Sequence, residues 1–138
     1  NLHPHDALRQ VIPESDLKQD LEWDKIADLM HNTMEKADGL GLAANQVSIG
    51  ARMFTMRSRK TFINPKIIEK SENYTLTEEG CLSFPGIFCK IKRHTEIRAR
   101  FSDWQNNTDT FKFREVTAQV FQHEYDHMEG IDFTQRAK

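Results

Sequence analysis

Gln122-His123-Glu124-Tyr125-Asp126-His127 sits inside a run, Glu115 to Glu129, that carries the apolar spacing of a helix. Residues four apart on a helix lie one turn apart on the same face. His123 and His127 can therefore reach one ion, and Glu124 lies close enough to touch a water on it. Val116, Val120 and His127, with His123 beside them, fall roughly on one face, and Gly130 follows as a C-terminal cap. Two histidines on an exposed or core helix face would give the same letters by chance, so the pattern alone does not decide between a metal site and an ordinary helix.

A third ligand decides more, and it is hard to place downstream. The chain ends at Lys138, eleven residues after His127, and the acids there, Glu129 and Asp132, are too close in sequence to fold back comfortably. Upstream, Cys81 is a good candidate, in Glu79-Gly80-Cys81-Leu82-Ser83 between two strand candidates. A thiolate is a strong ligand for Fe(II) and Zn(II). Two His and one Cys leave a fourth position open for water, the pattern of a catalytic rather than a structural site. The bland reading of Cys81 is an inert buried thiol, and Cys89 is assigned that role. His3, His5, His31 and His94 have no partner spacing and read as surface or loosely packed, while Met30 and Met34 read as core.

Outward from this segment the chain divides cleanly. Residues 1–20, with Pro4 and Pro13, read as an extended or loosely ordered arm. Trp23, Ile26, Met30, Met34 and Ala37 recur at helical steps, and Gly39 stops that helix. Gly39 to Gln46 follows, its two glycines permitting tight or unusual backbone angles. The period then becomes two. Met53 to Met56, Phe62-Ile63, Lys66 to Ile68 after a break at Asn64-Pro65, Thr75 to Thr77 and Ile87 to Lys92 are strand candidates. Thr95, Ile97, Ala99 and Phe101 alternate with charged residues, and with Phe111 and Phe113 they predict a hairpin turning at Asp103 to Asn107. A helix, several strands and a helix predict an α+β domain whose last helix packs on sheet.

Composition narrows the function classes. The length of 138 residues fits one domain, read here as a single catalytic unit over 1–138. A formal net charge of -2 argues against a nucleic-acid binder. No apolar run is long enough to span a bilayer, and the first residues show no basic stretch followed by an apolar one. These features predict a cytoplasmic protein without a membrane or nucleic-acid partner. The chain begins with Asn1 rather than Met, consistent with a trimmed start.

Three segments together resemble a known family. Gly39-Leu40-Gly41-Leu42-Ala43-Ala44-Asn45-Gln46 resembles the G-x-G-L-A-A-x-Q motif of peptide deformylases. Glu79-Gly80-Cys81-Leu82-Ser83 is similar to their E-G-C-L-S, and Gln122 to His127 to their Q-H-E-x-D-H. Ile63-Asn64-Pro65 also looks like the family's I-N-P. The motifs occur in the family's order and cover nearly the whole chain.

The resemblance implies small antiparallel or mixed sheets packed around a central C-terminal helix carrying H-E-x-x-H. It implies removal of the formyl group from the N-terminal formylmethionine of new bacterial or organellar proteins. On it, Cys81, His123 and His127 hold one divalent ion, Fe(II) natively, which Zn(II), Ni(II) or Co(II) can replace. Glu124 is the general acid/base, and the Gln46 side chain and the Leu82 backbone N–H form the oxyanion hole. Leu40 and Gly41 pair with the substrate backbone like an added strand. Leu40, Leu82 and Val120 line the methionine pocket with Glu79 near its rim, and Arg93 falls where the family pairs an arginine with that glutamate. Many bacterial members carry a further C-terminal helix that engages the ribosome. The resemblance stops short of that element, and compact members of this kind are similar to versions carried by phages, acting in the host cytoplasm. Two rivals share part of the pattern: a small zinc endopeptidase, and a binding module that has kept the fold without the chemistry. The first leaves the glycine-rich and cysteine motifs unexplained, and the second predicts loss of Gln46, Cys81 or Glu124, all of which are present.

Overall fold

The computed structural model describes residues 11–15, 22–47, 49–57, 60–81, 83–103, 105, 107–131 and 136, and of Pro85 the backbone alone. Helix α1 spans Trp23–Lys36 and is followed by strand β1, Gly41–Ala43, and a 3-10 turn, Ala44–Val47. Strands β2 (Met53–Met56), β3 (Thr61–Lys70), β4 (Tyr74–Cys81), β5 (Phe84–His94), β6 (Glu96–Ser102) and β7 (Thr108–Arg114) lead into helix α2, Glu115–Met128.

Among the described residues every strand pairing is antiparallel, so the mixed alternative is not taken. A five-stranded sheet has the order β1-β2-β3-β6-β7, and β4 and β5 form a separate hairpin. The protein is thus α+β, with the C-terminal helix against sheet. Phe54, Phe62, Phe101 and Phe121 fill the space between the large sheet and α2, their rings meeting mostly edge-on. Trp23, Met30 and Met34 of α1 pack on Leu42, Met53 and Ile63 across a second cluster. From Ala118 onward α2 is buried nearly all round, whereas Val116 in its first turn is exposed. Among the described residues, no helix is long and apolar enough to cross a membrane.

Several local expectations change in physical detail. Helix α1 ends in two capping bonds, Asp38 N–H to Glu35 O at 3.1 Å and Gly39 N–H to Met34 O at 3.0 Å. The left-handed residue that permits them is Asp38 (φ 56°), not Gly39. Neither Gly39 nor Gly41 has a positive φ, so the glycine-rich motif does not bend by that route. Gly130 (φ 73°) does close α2, with Ile131 N–H reaching Asp126 O at 2.8 Å. Asn64-Pro65 does not break β3. Asn64 (φ 51°) marks a register shift between β3 and β6, and its amide clasps the backbone of Ser15 at 2.6 and 2.9 Å.

The supposed arm is also tied down where it is described, with Val11 bridging Glu129 and Ile12 N–H donating to Met128 O. The rest of residues 1–20, His3 and His5 included, lies outside the described residues. His31 is buried, its ring meeting Thr55 Oγ1 at 2.5 Å and Thr61 Oγ1 at 3.2 Å, because β2 and β3 offer hydroxyls to the inward face of α1.

Candidate metal centre and its cleft

Three elements converge on one point. Helix α2 sets the His123 and His127 rings with centroids 5.3 Å apart. Cys81 ends β4 at a register shift between Gly80 and Cys81, an irregularity that frees its side chain from the hairpin ladder. One donor atom from each of the three residues can be chosen so that all lie within 4.8 Å of one another. A tetrahedral ion with ordinary Zn–S and Zn–N bonds would hold sulfur and nitrogen about 3.6 Å apart. Cys81 Sγ and His127 Nε2 stand at 3.5 Å. A thiolate and two imidazoles at that separation fit a divalent transition metal.

The donors are oriented from behind. His123 Nδ1 lies 2.8 Å from Glu79 Oε1. An ionised carboxylate only accepts, so Nδ1 is the donor and Nε2 is left for the ion, the usual backing of a metal-bound imidazole. Arg93 grips Glu79 with two hydrogen bonds of 2.8 Å and gives a third, at 2.6 Å, to Asp126. Burial works against the Glu79 charge, but Arg93 and His123 outweigh it and bring its pKa down to about 2. Burial likewise opposes charge on His123, yet hydrogen bonds to Cys81 and Glu79 hold its pKa up to about 10. Glu79 is buried and lines the cavity, its oxygens serving His123 and Arg93.

Glu124 faces the cleft from α2. Burial, partly offset by His123, raises its carboxyl to about 7, and among the described residues its Oε1 has no hydrogen-bond partner. An orphaned buried oxygen beside a donor set for a metal is suited to a water or a substrate N–H. Gln46, on the 3-10 turn, accepts Ala43 N–H through Oε1 at 2.8 Å. That bond fixes the amide so that Nε2 points inward, 3.4 Å from Cys81 Sγ and 3.0 Å from Ser83 Oγ.

A cavity of about 370 Å³ brings together Leu40, Gly41, Gln46, Glu79, Cys81, Val120, His123 and Glu124. Leu82 lies outside the described residues. Phe84, Gln119, Ile87 and Phe88 line the same cavity and were not singled out from the sequence, where nothing marks them beyond proximity to Cys81 and the histidines. Two more residues were quoted within motifs and given no task. Gln122 brackets the His94 backbone with bonds of 2.9 and 2.8 Å, docking β5 on α2, and Asn45 donates to His127 O at 3.0 Å.

A model of the polypeptide deformylase family matches residues 2–138. The chain belongs to this family. A peptide deformylase of Cytophaga hutchinsonii is 38% identical over 141 residues, covering 93% of this chain and 76% of the relative. One from Pseudothermotoga lettingae is 43% identical over 110 residues, covering 78% of this chain and 64% of the relative. The crystal structure of peptide deformylase from Thermotoga maritima superposes with a TM-score of 0.88 at 35% identity, covering 96% of this chain and 91% of that one. Deformylases are metalloenzymes, and the Cys81, His123 and His127 cluster is where this member could hold its ion.

Proposed function

We infer that this chain, acting as one catalytic domain, hydrolyses the formamide at the N-terminal formylmethionine of nascent polypeptides and releases formate. The observation that carries the reading is the opening of a two-histidine, one-cysteine donor set onto the same cavity as the unpartnered carboxylate oxygen of Glu124.

Cys81, His123 and His127 would hold the ion, and Fe(II) is the native metal on this reading, with Zn(II), Ni(II) or Co(II) able to replace it. A divalent ion there supplies Lewis acidity, lowering the pKa of water and polarising the formyl carbonyl. Glu124 accepts the proton of the attacking water. As the C–N bond breaks, the same carboxyl returns that proton to the departing amine, leaving formate and a free N-terminal methionine. The Gln46 Nε2 and the Leu82 N–H donate to the carbonyl oxygen as it gains charge. The outer edge of β1, with Leu40 just before it, offers Leu40 and Gly41 to the substrate backbone, and Leu40, Leu82 and Val120 take the methionine side chain. The partner is the formylated end of a nascent chain, and the compartment is the one in which such chains are made.

The test is formate release from a formyl-Met peptide by protein purified anaerobically and supplied with Fe(II) or Ni(II). Release that a chelator stops, and that acetyl-Met peptides do not give, is expected. Protein that holds its ion and releases no formate would overturn the reading.

A further inference from the structure

Behind the metal centre runs an unbroken chain of charge-assisted hydrogen bonds. It starts at His123 Nδ1 on Glu79 (2.8 Å), continues through the two-bond grip of Arg93 on Glu79 (2.8 Å each), and passes from Arg93 to Asp126 Oδ2 (2.6 Å). It ends on a residue that no motif marks. Arg136 Nε donates to Asp126 Oδ2 at 2.5 Å and its Nη2 to Asp126 Oδ1 at 2.9 Å. The Asp126 side chain is 7% exposed and that of Arg136 44%, so the guanidinium closes the network from its solvent side.

The charges explain what this closure does. Glu79 and Asp126 set two carboxylates against the single guanidinium of Arg93. Arg136 supplies the second guanidinium. Without Arg136, Asp126 keeps its charge in a buried place with Arg93 as its remaining guanidinium, and removing one partner of a buried ion pair is strongly unfavourable. Arg93 can answer only by loosening its hold on Glu79, because the same planar guanidinium serves both acids. Glu79 in turn fixes the ring of His123.

We propose that Arg136 is a positioning residue for the metal ligand His123, acting through Asp126, Arg93 and Glu79 to retain the ion. This rests on the reading above, in which His123 binds the metal. Partners in direct contact with a ligand change metal affinity by roughly ten- to a hundredfold, and Arg136 stands further back, so an effect of about three- to tenfold follows.

The experiment measures the rate at which Ni(II)-loaded protein loses its ion to an excess of a colorimetric chelator. The expected result is loss about three- to tenfold faster in Arg136→Met, and intermediate in Arg136→Lys, which restores the charge without the two-pronged geometry. In a Glu79→Gln background the Arg136→Met effect should vanish, since the relay is already cut. A merely structural latch would lower the melting temperature of the chelated protein and leave that dependence on Glu79 absent. Unchanged ion loss in Arg136→Met, or an equal increase in the Glu79→Gln background, overturns the proposal while leaving the function standing. Wild-type protein that binds no Ni(II) overturns both.

Discussion

Gly41 and Glu124 are packed so closely that a Cβ on Gly41 would stand 2.6 Å from Glu124 Oε2 and 2.9 Å from its Cγ. The glycine is needed for space, not for an unusual backbone angle, since β1 is an ordinary edge strand paired with β2. Gly41→Ala should therefore leave the fold nearly intact, because a side chain can turn aside where a backbone cannot. It should move the carboxylate off its place in the cleft. A loss in kcat of about tenfold or more is expected, since misplacement by an ångström near the reacting atoms costs that much. Metal content should stay normal. Steady-state kinetics beside metal analysis check this, and an alanine variant with normal kcat would show that Glu124 does not need its observed position.

Glu124→Gln keeps the shape of the side chain and removes its capacity to take a proton. Turnover should fall by about a hundred- to ten-thousandfold, the usual worth of a general acid/base. Because Cys81 and the two histidines are untouched, the ion should be retained. A variant that kept more than a tenth of wild-type turnover would remove Glu124 from the proton path.

Cys81→Ser exchanges a soft thiolate for a hard hydroxyl. It should weaken metal binding and shift preference away from metals that favour sulfur. Bound metal stabilises the native state by mass action, so the gap in melting temperature between loaded and chelated protein should narrow in the variant. Calorimetry of both forms tests it. An undiminished gap, with unchanged metal affinity, would point to a different third ligand.

Much of this was legible in the sequence because it rests on short-range rules. Period-two alternation found β6 and β7, helical spacing found α1 and α2, and the four-residue step of His123 and His127 needed only helix geometry. What escaped depends on contacts across the chain. The buried His31 is explained by hydroxyls on β2 and β3, which no local pattern reveals. The three-residue strand β1 is too short for a periodic signal. Arg136 and Arg52 look like surface residues until the fold brings Asp126 and the end of α2 beside them. The left-handed turn after α1 went to Asp38 where the sequence offered Gly39.

Arg52 ties both ends of the described chain to the large sheet. It is buried, and its Nη1 lies 2.8 Å from Ile12 O and 3.2 Å from Met128 O, with the Glu129 carboxylate at 3.5 Å. Its guanidinium carbon also stands 5.5 Å from the centroid of the Tyr125 ring. The Arg52 backbone N–H donates to Ser15 Oγ at 2.8 Å, so the segment 11–15 is held on two sides. Arg52→Met preserves the packing volume and takes this donor from Ile12 O, while Met128 O keeps the Ile12 N–H. Leaving a buried acceptor such as Ile12 O unsatisfied costs about 1–3 kcal/mol. Part of that cost is relieved by water reaching the half-exposed Ile12 side, so a total near 2 kcal/mol is expected, give or take about 1. The denaturant midpoint should fall without a change in slope. Arg52 touches no residue of the cleft in any of these contacts, so kcat measured well below the transition should stay at the wild-type value. A variant of unchanged midpoint would mean that the segment 11–15 is held well enough without Arg52, by its backbone pairing to Met128 and Glu129 and by the Ser15 and Asn64 bonds.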